Sequence, residues 1–150
     1  MTIETTLNEL GLILPTPAAP AASYVPVRQS GNILYVSGQL SSGPDGLLKG
    51  KLGEGTDVET GQKAAQLCAL NILGQVAQVV DIERIKAIHK LTVVVASTPD
   101  FHEQHLVANG ASDLFIKLLE DKGKHARAAF GVASLPLGAA VEIDAIIEID

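Results

Sequence analysis

Tryptophan is absent from this 150-residue chain, cysteine occurs once, and the aromatics amount to two Tyr and three Phe. The single Cys68 excludes an internal disulfide and any multi-cysteine zinc or iron–sulfur site. Basic residues are also scarce: 11 Lys and Arg face 17 Asp and Glu, a formal charge of −6. The sequence therefore lacks both the phosphate-neutralising patch and the stacking platforms of a general nucleic-acid binder, and no nucleic-acid partner is expected. No run approaches the roughly 18 uncharged apolar residues of a membrane span. Two acids and no basic stretch precede the first short apolar run, so neither a secretory leader nor a membrane partner is expected, and the expected location is the cytoplasm. There is no G-x-S-x-G elbow, no phosphate loop and no H-E-x-x-H pattern, which leaves serine-hydrolase, nucleotide-triphosphate and zincin chemistry without support.

What is present is apolar. Hydrophobic residues make up 47% and charged residues 19%, too apolar for intrinsic disorder. The length suits one domain over 1–150, which at this size buries roughly 70% of its unfolded surface. Ile3, Leu7 and Leu10 at i, i+4 and i+7 predict a short helix over Thr2 to Leu10. Leu14 to Ser23 holds three prolines and reads as an extended arm, so residues 1–23 form a helix and a proline-rich tether.

From Tyr24 the texture changes. Tyr24 to Gln39 reads as strand, turn at Ser30-Gly31-Asn32, strand; Pro26 cannot donate to a ladder, so its strand belongs at a sheet edge. Gly43-Pro-Asp-Gly46 signals a turn, and a short third strand is expected over Leu47 to Leu52. Thr56 or Asp57 caps the clearest helix, whose stripe runs through Ala65, Cys68, Ala69, Ile72, Val76 and Val79. Within that stripe Cys68 reads as a buried inert thiol. Ile85 to Ser97 is a β-branched strand apolar on both faces. A second helix is expected from Pro99-Asp100 to about Asp121, then a short strand over Arg127 to Val132. The final strand, Val141 to Asp150, alternates most strongly: Val141, Ile143, Ala145, Ile147 and Ile149 share one face, and Glu142, Asp144, Ile146, Glu148 and Asp150 the other. This order predicts an α+β fold with a sheet carrying two helices on one face. The sheet's other face, with Thr92, Val94 and Ala96, has no helix left to cover it, which predicts self-association.

Among polar groups, His102 and His105 are expected at i, i+3 on the second helix, but a third ligand at helical spacing is missing, so polar helix surface outweighs a metal site. His89 and His125 lack a recognisable Ser, Cys or Asp partner and read as surface or interface residues rather than general bases. Arg127 differs. It stands among Ala126, Ala128, Ala129, Phe130 and Gly131, none of which can pair it, and an isolated guanidinium in an apolar strand needs an anion. Its planar fork suits a carboxylate, either from the protein, for which Glu142 on the next strand is a candidate, or from a ligand. The sequence leaves both open.

Arg127, the Leu135-Pro136 that follows, and the Val141-Glu142-Ile143-Asp144-Ala145 ending together resemble the YjgF-like reactive-intermediate deaminase family, whose domain is also called the L-PSP endoribonuclease domain. Tyr24, Gly31-Asn32 and Val36-Ser37-Gly38-Gln39 match its N-terminal half, and the resemblance covers roughly residues 20 to 149 within a domain of 24–150. It implies a chorismate-mutase-like sheet with two helices on one face, a homotrimer around a central β-barrel, and clefts between subunits. It also implies hydrolysis of 2-enamine and 2-imine carboxylates, such as 2-aminoacrylate from pyridoxal-phosphate enzymes, to 2-keto acids and ammonia. Neither cofactor nor metal is implied. Carried over, Arg127 clamps a substrate carboxylate and Glu142 places or activates water, while Tyr24, Ser37, Gly38, Asn109 and Ala129 line the cleft. Ala129 stands where relatives carry a small or thiol-bearing residue, and Ser112 replaces an aromatic of the second helix; with the long arm these mark a divergent subgroup. A non-catalytic binder of 2-keto acids or other small carboxylates is the alternative, and the ribonuclease activity in the domain's name fits the charge of −6 poorly.

Overall fold

The computed structural model describes residues 1–20 and 22–150; Ala21, within the expected extended arm, lies outside the described residues. Helix α1 (Ile3–Glu9) is capped by Thr2, whose side chain accepts from the Thr5 amide, and it buries Ile3 and Leu7. Its first amides also donate to the Glu83 carboxylate, which fastens the helix to the body of the fold. Strands β1 (Val27–Ser30) and β2 (Ile33–Leu40) form the expected hairpin. Gly31 at its turn has φ +58°, a conformation that glycine reaches without strain.

The expected third strand is instead two miniature ladders. Strands β3 (Ser42–Gly43) and β4 (Gly46–Leu47) pair antiparallel, and β5 (Lys51–Leu52) pairs with β6 (Gly55–Thr56) in parallel. Gly46, Gly50, Gly53 and Gly55 all take positive φ, and these turns break the run.

Helix α2 (Val58–Ala77) starts at Asp57, whose side chain accepts from the Thr60 amide. Its buried stripe contains Ala65, Cys68, Ala69, Ile72 and Val76 as expected, but Val79 lies past the helix end and is exposed. Strand β7 (Ile85–Ala96) follows. Helix α3 spans Gln104–Leu119 and begins later than the sequence suggests. Residues 99–103 stay outside it because Thr98 is tied to Leu52 and the Phe101 amide turns back onto Thr98. His102 therefore precedes the helix, and the His102/His105 pairing on one helix face is corrected. Strands β8 (Ala126–Val132) and β9 (Val141–Ile149) complete the main sheet.

That sheet is mixed, in the order β1-β2-β9-β7-β8, with β7 and β8 parallel and the other neighbours antiparallel. The Pro26 strand lies at one edge, as its missing donor requires. Helices α2 and α3 pack against each other and onto a single face, where Val141, Ile143, Ala145, Ile147 and Ile149 meet Leu91, Val93 and Val95. The fold is thus α+β with three helices, α1 adding to the core through Ile3 and Leu7. The opposite face carries the alternate residues, among them Thr92, Val94, Ile146 and the 46%-exposed Phe130. Among the described residues no helix is long and apolar enough to cross a membrane.

The two long helices come into close contact at Gly110, where a β-carbon would fall inside the Gln62 backbone, and Gln62 Nε2 donates to the Leu106 carbonyl 2.9 Å away. A helical Gly→Ala change ordinarily stabilises by about 1 kcal/mol. Gly110→Ala should do the reverse, costing about 1–3 kcal/mol because α3 must move off α2. Urea unfolding checks the sign, and a variant more stable than the parent would refute the contact.

Candidate functional site

Two groups of the expected site residues assemble, each at its own place in the sheet. The first surrounds Arg127. Arg127 on β8 and His125, just before that strand, both turn toward α3. On α3, Asn109 and Ser112 stand at i, i+3 with His105 one turn earlier, so the helix meets the strand with a polar stripe. The Arg127 guanidinium donates to Asn109 Oδ1 at 2.9 Å, to Ser112 Oγ at 3.1 Å and to the His105 carbonyl at 3.2 Å. All three acceptors are neutral. No carboxylate lies within 4.0 Å of Arg127 among the described residues, so its charge is oriented but not neutralised.

The second group lies around β2 and β9. A β-bulge interrupts the β2–β9 register between Val36 and Gln39, so Ser37 and Gly38 occupy the irregular step. Bulges of this kind re-aim side chains and recur beside functional sites. Gly38 leaves the space that Glu142 fills: a β-carbon there would sit 2.7 Å from Glu142 Oε2. The Glu142 carboxyl has neither an ion-pair nor a hydrogen-bond partner among the described residues. Burial, reinforced by the negative charge of Asp144, holds it above the usual carboxylate range. Ser37 Oγ donates to the Val25 carbonyl at 2.7 Å, which leaves the hydroxyl oxygen as an acceptor. Tyr24 is half exposed nearby and, with Gly38, borders an open cleft of about 800 Å³ whose far wall is the proline arm.

The sheet order separates the two groups. Strand β7 stands between β8 and β9. Arg127 pairs with the buried Leu91 and reaches α3 on the helix-covered face, whereas Glu142 pairs with Val94 on the open face. Glu142 is therefore not the partner of Arg127 within one chain, and the candidate ion pair between neighbouring strands is corrected. Ala129 shares the Arg127 side of β8 and packs against the core. Cys68 is fully buried, its sulfur 3.4 Å from the Val141 carbonyl, and burial, with the Glu142 charge adding, pushes its thiol well above the ordinary range. His89 is engaged with Glu148 at 2.8 Å, and that carboxylate also holds Lys86.

Sequence reasoning passed over the residue that links Arg127 to His125. Ser112 Oγ lies 2.8 Å from His125 Nε2, and His125 Nδ1 lies 2.6 Å from the Gly123 carbonyl. The available signal was spacing: His125 and Arg127 stand two residues apart at the start of β8, and Asn109 and Ser112 share a helix face. No group of three or more potential metal ligands occurs among the described residues.

Comparison with known proteins bears on this arrangement. The Endoribonuclease L-PSP family matches residues 16–149. The chain is 49% identical to Protein TCP17 of Trypanosoma cruzi over 147 residues, covering 96% of this chain and 92% of that one. It is 32% identical to 2-iminobutanoate/2-iminopropanoate deaminase of Mus musculus over 136 residues, covering 89% of this chain and 88% of the relative. The crystal structure of Atu1372 from Agrobacterium tumefaciens superposes with a TM-score of 0.91 at 52% identity, covering 99% of this chain and 94% of that one. The family match over residues 16–149 and these near-full-length similarities show that the chain belongs to the Endoribonuclease L-PSP family.

Proposed function

We propose that this chain is an imine hydrolase that converts reactive 2-imino and 2-enamine carboxylates to 2-keto acids and ammonia in the cytoplasm. Its working form is a homotrimer with a central β-barrel, each active cleft lies between two copies, and residues 1–150 act as one domain. The observation that carries the reading is Arg127, held by three neutral acceptors with its charge left for an anion. A small carboxylate fits its two remaining N–H donors. The mouse relative, at 32% identity, carries the name of a deaminase of such imines.

The chemistry asks little of the protein. The imine carbon is already electrophilic, so a held carboxylate, a placed water and a proton relay suffice. Water oxygen bonds to the imine carbon while Glu142 takes a water proton. The nitrogen takes that proton back from Glu142 to complete the carbinolamine, and the C–N bond then breaks as the C=O forms, the hydroxyl proton passing by way of Glu142 to the departing ammonia. Ser37 Oγ, an acceptor, suits the imine N–H, while Tyr24, Gly38, Asn109 and Ala129 complete the lining. Within a chain Arg127 and Glu142 occupy opposite faces, so a cleft that uses both takes Arg127 from one copy and Glu142 from another. The exposed apolar side chains of the open sheet face supply the contact surface.

A second reading, a binder of 2-keto acids or related carboxylates without turnover, rests on Arg127 alone, and Glu142 separates the two. Four outcomes follow from the proposal. Light scattering should give the mass of three chains at micromolar concentration; a monomer would remove the shared cleft. Arg127→Ala should weaken binding of pyruvate, the smallest 2-keto acid, by about 30- to 1,000-fold, the loss expected for a charge-assisted pair. Its circular dichroism should stay unchanged; unfolding, with affinity tracking only the folded fraction, would make Arg127 structural. Glu142→Gln should lower turnover of freshly generated 2-aminoacrylate by roughly 10²–10⁴ while pyruvate affinity stays within a few-fold. Unchanged turnover with tighter pyruvate would leave the binder. The fourth outcome concerns pH. Burial and the Asp144 charge raise the Glu142 pKa in the single chain, and with the partner's Arg127 charge taken by the substrate carboxylate the same direction is expected in the complex. A base must be ionised, so kcat should fall as pH drops through a value above the ordinary glutamate range, and Glu142→Gln should flatten that limb.

A further inference from the structure

We propose that Ser112 and His125 are positioning residues that aim Arg127 at its carboxylate ligand, acting through a hydrogen-bond chain from Gly123 to the guanidinium. The inference rests on the reading of Arg127 as a carboxylate anchor.

Hydrogen-bond accounting sets the direction of the chain. The Gly123 carbonyl can only accept, so His125 Nδ1, 2.6 Å away, carries the proton. In the neutral ring Nε2 is then an acceptor, and Ser112, 2.8 Å away, donates its hydroxyl hydrogen to it. With that hydrogen committed, the Ser112 lone pairs turn toward Arg127 Nη1 at 3.1 Å. Without His125 the hydroxyl is free to rotate and to donate elsewhere. The ring is itself fixed: Phe115 meets it edge-on with centroids 6.4 Å apart and planes at 78°. Gly123 is buried against the Phe115 carbonyl, where a β-carbon would overlap backbone, so the accepting carbonyl has little room to move. Ser112 is 7% exposed, which shields its two hydrogen bonds from competing water.

The arrangement separates orientation from neutralisation. A carboxylate in place of Ser112 would hold Arg127 as firmly but would occupy the charge that the ligand needs. A hydroxyl polarised by a neutral imidazole fixes one nitrogen of the fork and leaves the charge free. Aim matters for a planar, two-pronged contact in a way that it does not for a point charge.

The test uses the full-length protein in its native assembly, with pyruvate binding by calorimetry, turnover of 2-aminoacrylate, and ¹⁵N spectra of the histidines. Ser112→Ala and His125→Phe should each raise the pyruvate dissociation constant and the KM by about 5- to 20-fold, the scale of one hydrogen bond to a charged group, with kcat within about two-fold. His125→Gln, whose amide oxygen takes the Nε2 place as acceptor, should restore affinity to within about three-fold of the parent. The double variant S112A/H125F should be no weaker than S112A, because His125 acts only through Ser112. In the parent, His125 should show a protonated Nδ1 and an unprotonated Nε2, and the Nε2 signal should move in Ser112→Ala. Equal losses in His125→Phe and His125→Gln, additive losses in the double variant, or an Nε2–H tautomer would overturn the proposal. If His125→Phe fails to fold, Ser112→Ala with the spectra decides alone: unchanged pyruvate affinity overturns it. Arg127→Ala is the control for the underlying reading. Loss of pyruvate binding there with full affinity in Ser112→Ala and His125→Phe refutes the positioning chain only. Retained binding in Arg127→Ala refutes the anchor itself.

Discussion

Everything in this fold depends on a sheet covered on one face only. Helices α2 and α3 need a flat apolar surface, and β9 supplies it by placing Val141, Ile143, Ala145, Ile147 and Ile149 on one side without exception. The same alternation commits Glu142, Asp144 and Glu148 to the other side. A one-residue slip would bury that row of carboxylates among the helices, so the register is strongly fixed. The covered face holds the core, and the open face carries the β9 carboxylates. The open face nevertheless keeps Thr92, Val94, Ile146 and Phe130, a mixed surface unlike the polar exterior of an isolated antiparallel sheet.

This division keeps the Arg127 and Glu142 charges apart. Arg127 is on the edge strand and turns toward α3, while Glu142 is two strands away and faces outward. Had β8 and β9 been neighbours with both side chains on one face, the two would have met as a structural ion pair and each would have spent its charge on the other. Partners that are neutral hold an ion in place at the cost of desolvation but without cancelling its field. Asn109, Ser112 and the His105 carbonyl do this for Arg127. Glu142 has no such partner and answers its partial burial by a raised pKa. A chain that keeps an oriented cation and a reluctant anion on separate faces is suited to combine them across a contact between copies, which is the arrangement proposed for the cleft.

Local periodicity made much of this legible in the sequence. The β9 alternation, the α2 stripe as far as Val76, the hairpin at Gly31-Asn32 and the edge position of Pro26 follow from two- and 3.6-residue repeats and from the chemistry of glycine and proline. The failures have a common cause: tertiary contacts overrode a local signal. Pro99-Asp100 looks like a helix start, yet Thr98 is drawn to Leu52 and the helix waits until Gln104. Leu47 to Leu52 has strand composition, but closely spaced glycines with positive φ cut it into pairs of residues. The Arg127 alternatives could not be settled from sequence because β8 inserts parallel beside β7, at the sheet edge, rather than next to β9, which follows it in the chain. Strand order is set by crossover connections and carries no local pattern.

The least legible feature was the most consequential. In the family resemblance, Ser112 reads as the loss of an aromatic from the second helix, and His125 reads as a solitary surface imidazole. The structure joins them in one hydrogen-bond chain. Ser112 is buried with its oxygen between Arg127 and His125, whose imidazole meets Phe115 edge-on. A bulky ring constrains an arginine by packing, through contact on all sides and with little angular preference. A hydroxyl between an imidazole and a guanidinium constrains it by direction, since each hydrogen bond weakens steeply as it bends. A hydroxyl also takes less room beside the fork than a ring does. On the proposed reading of Arg127 as a carboxylate anchor, a fork aimed this way leaves its charge to the ligand, and the space beside it would bear on which side chain a bound acid can carry.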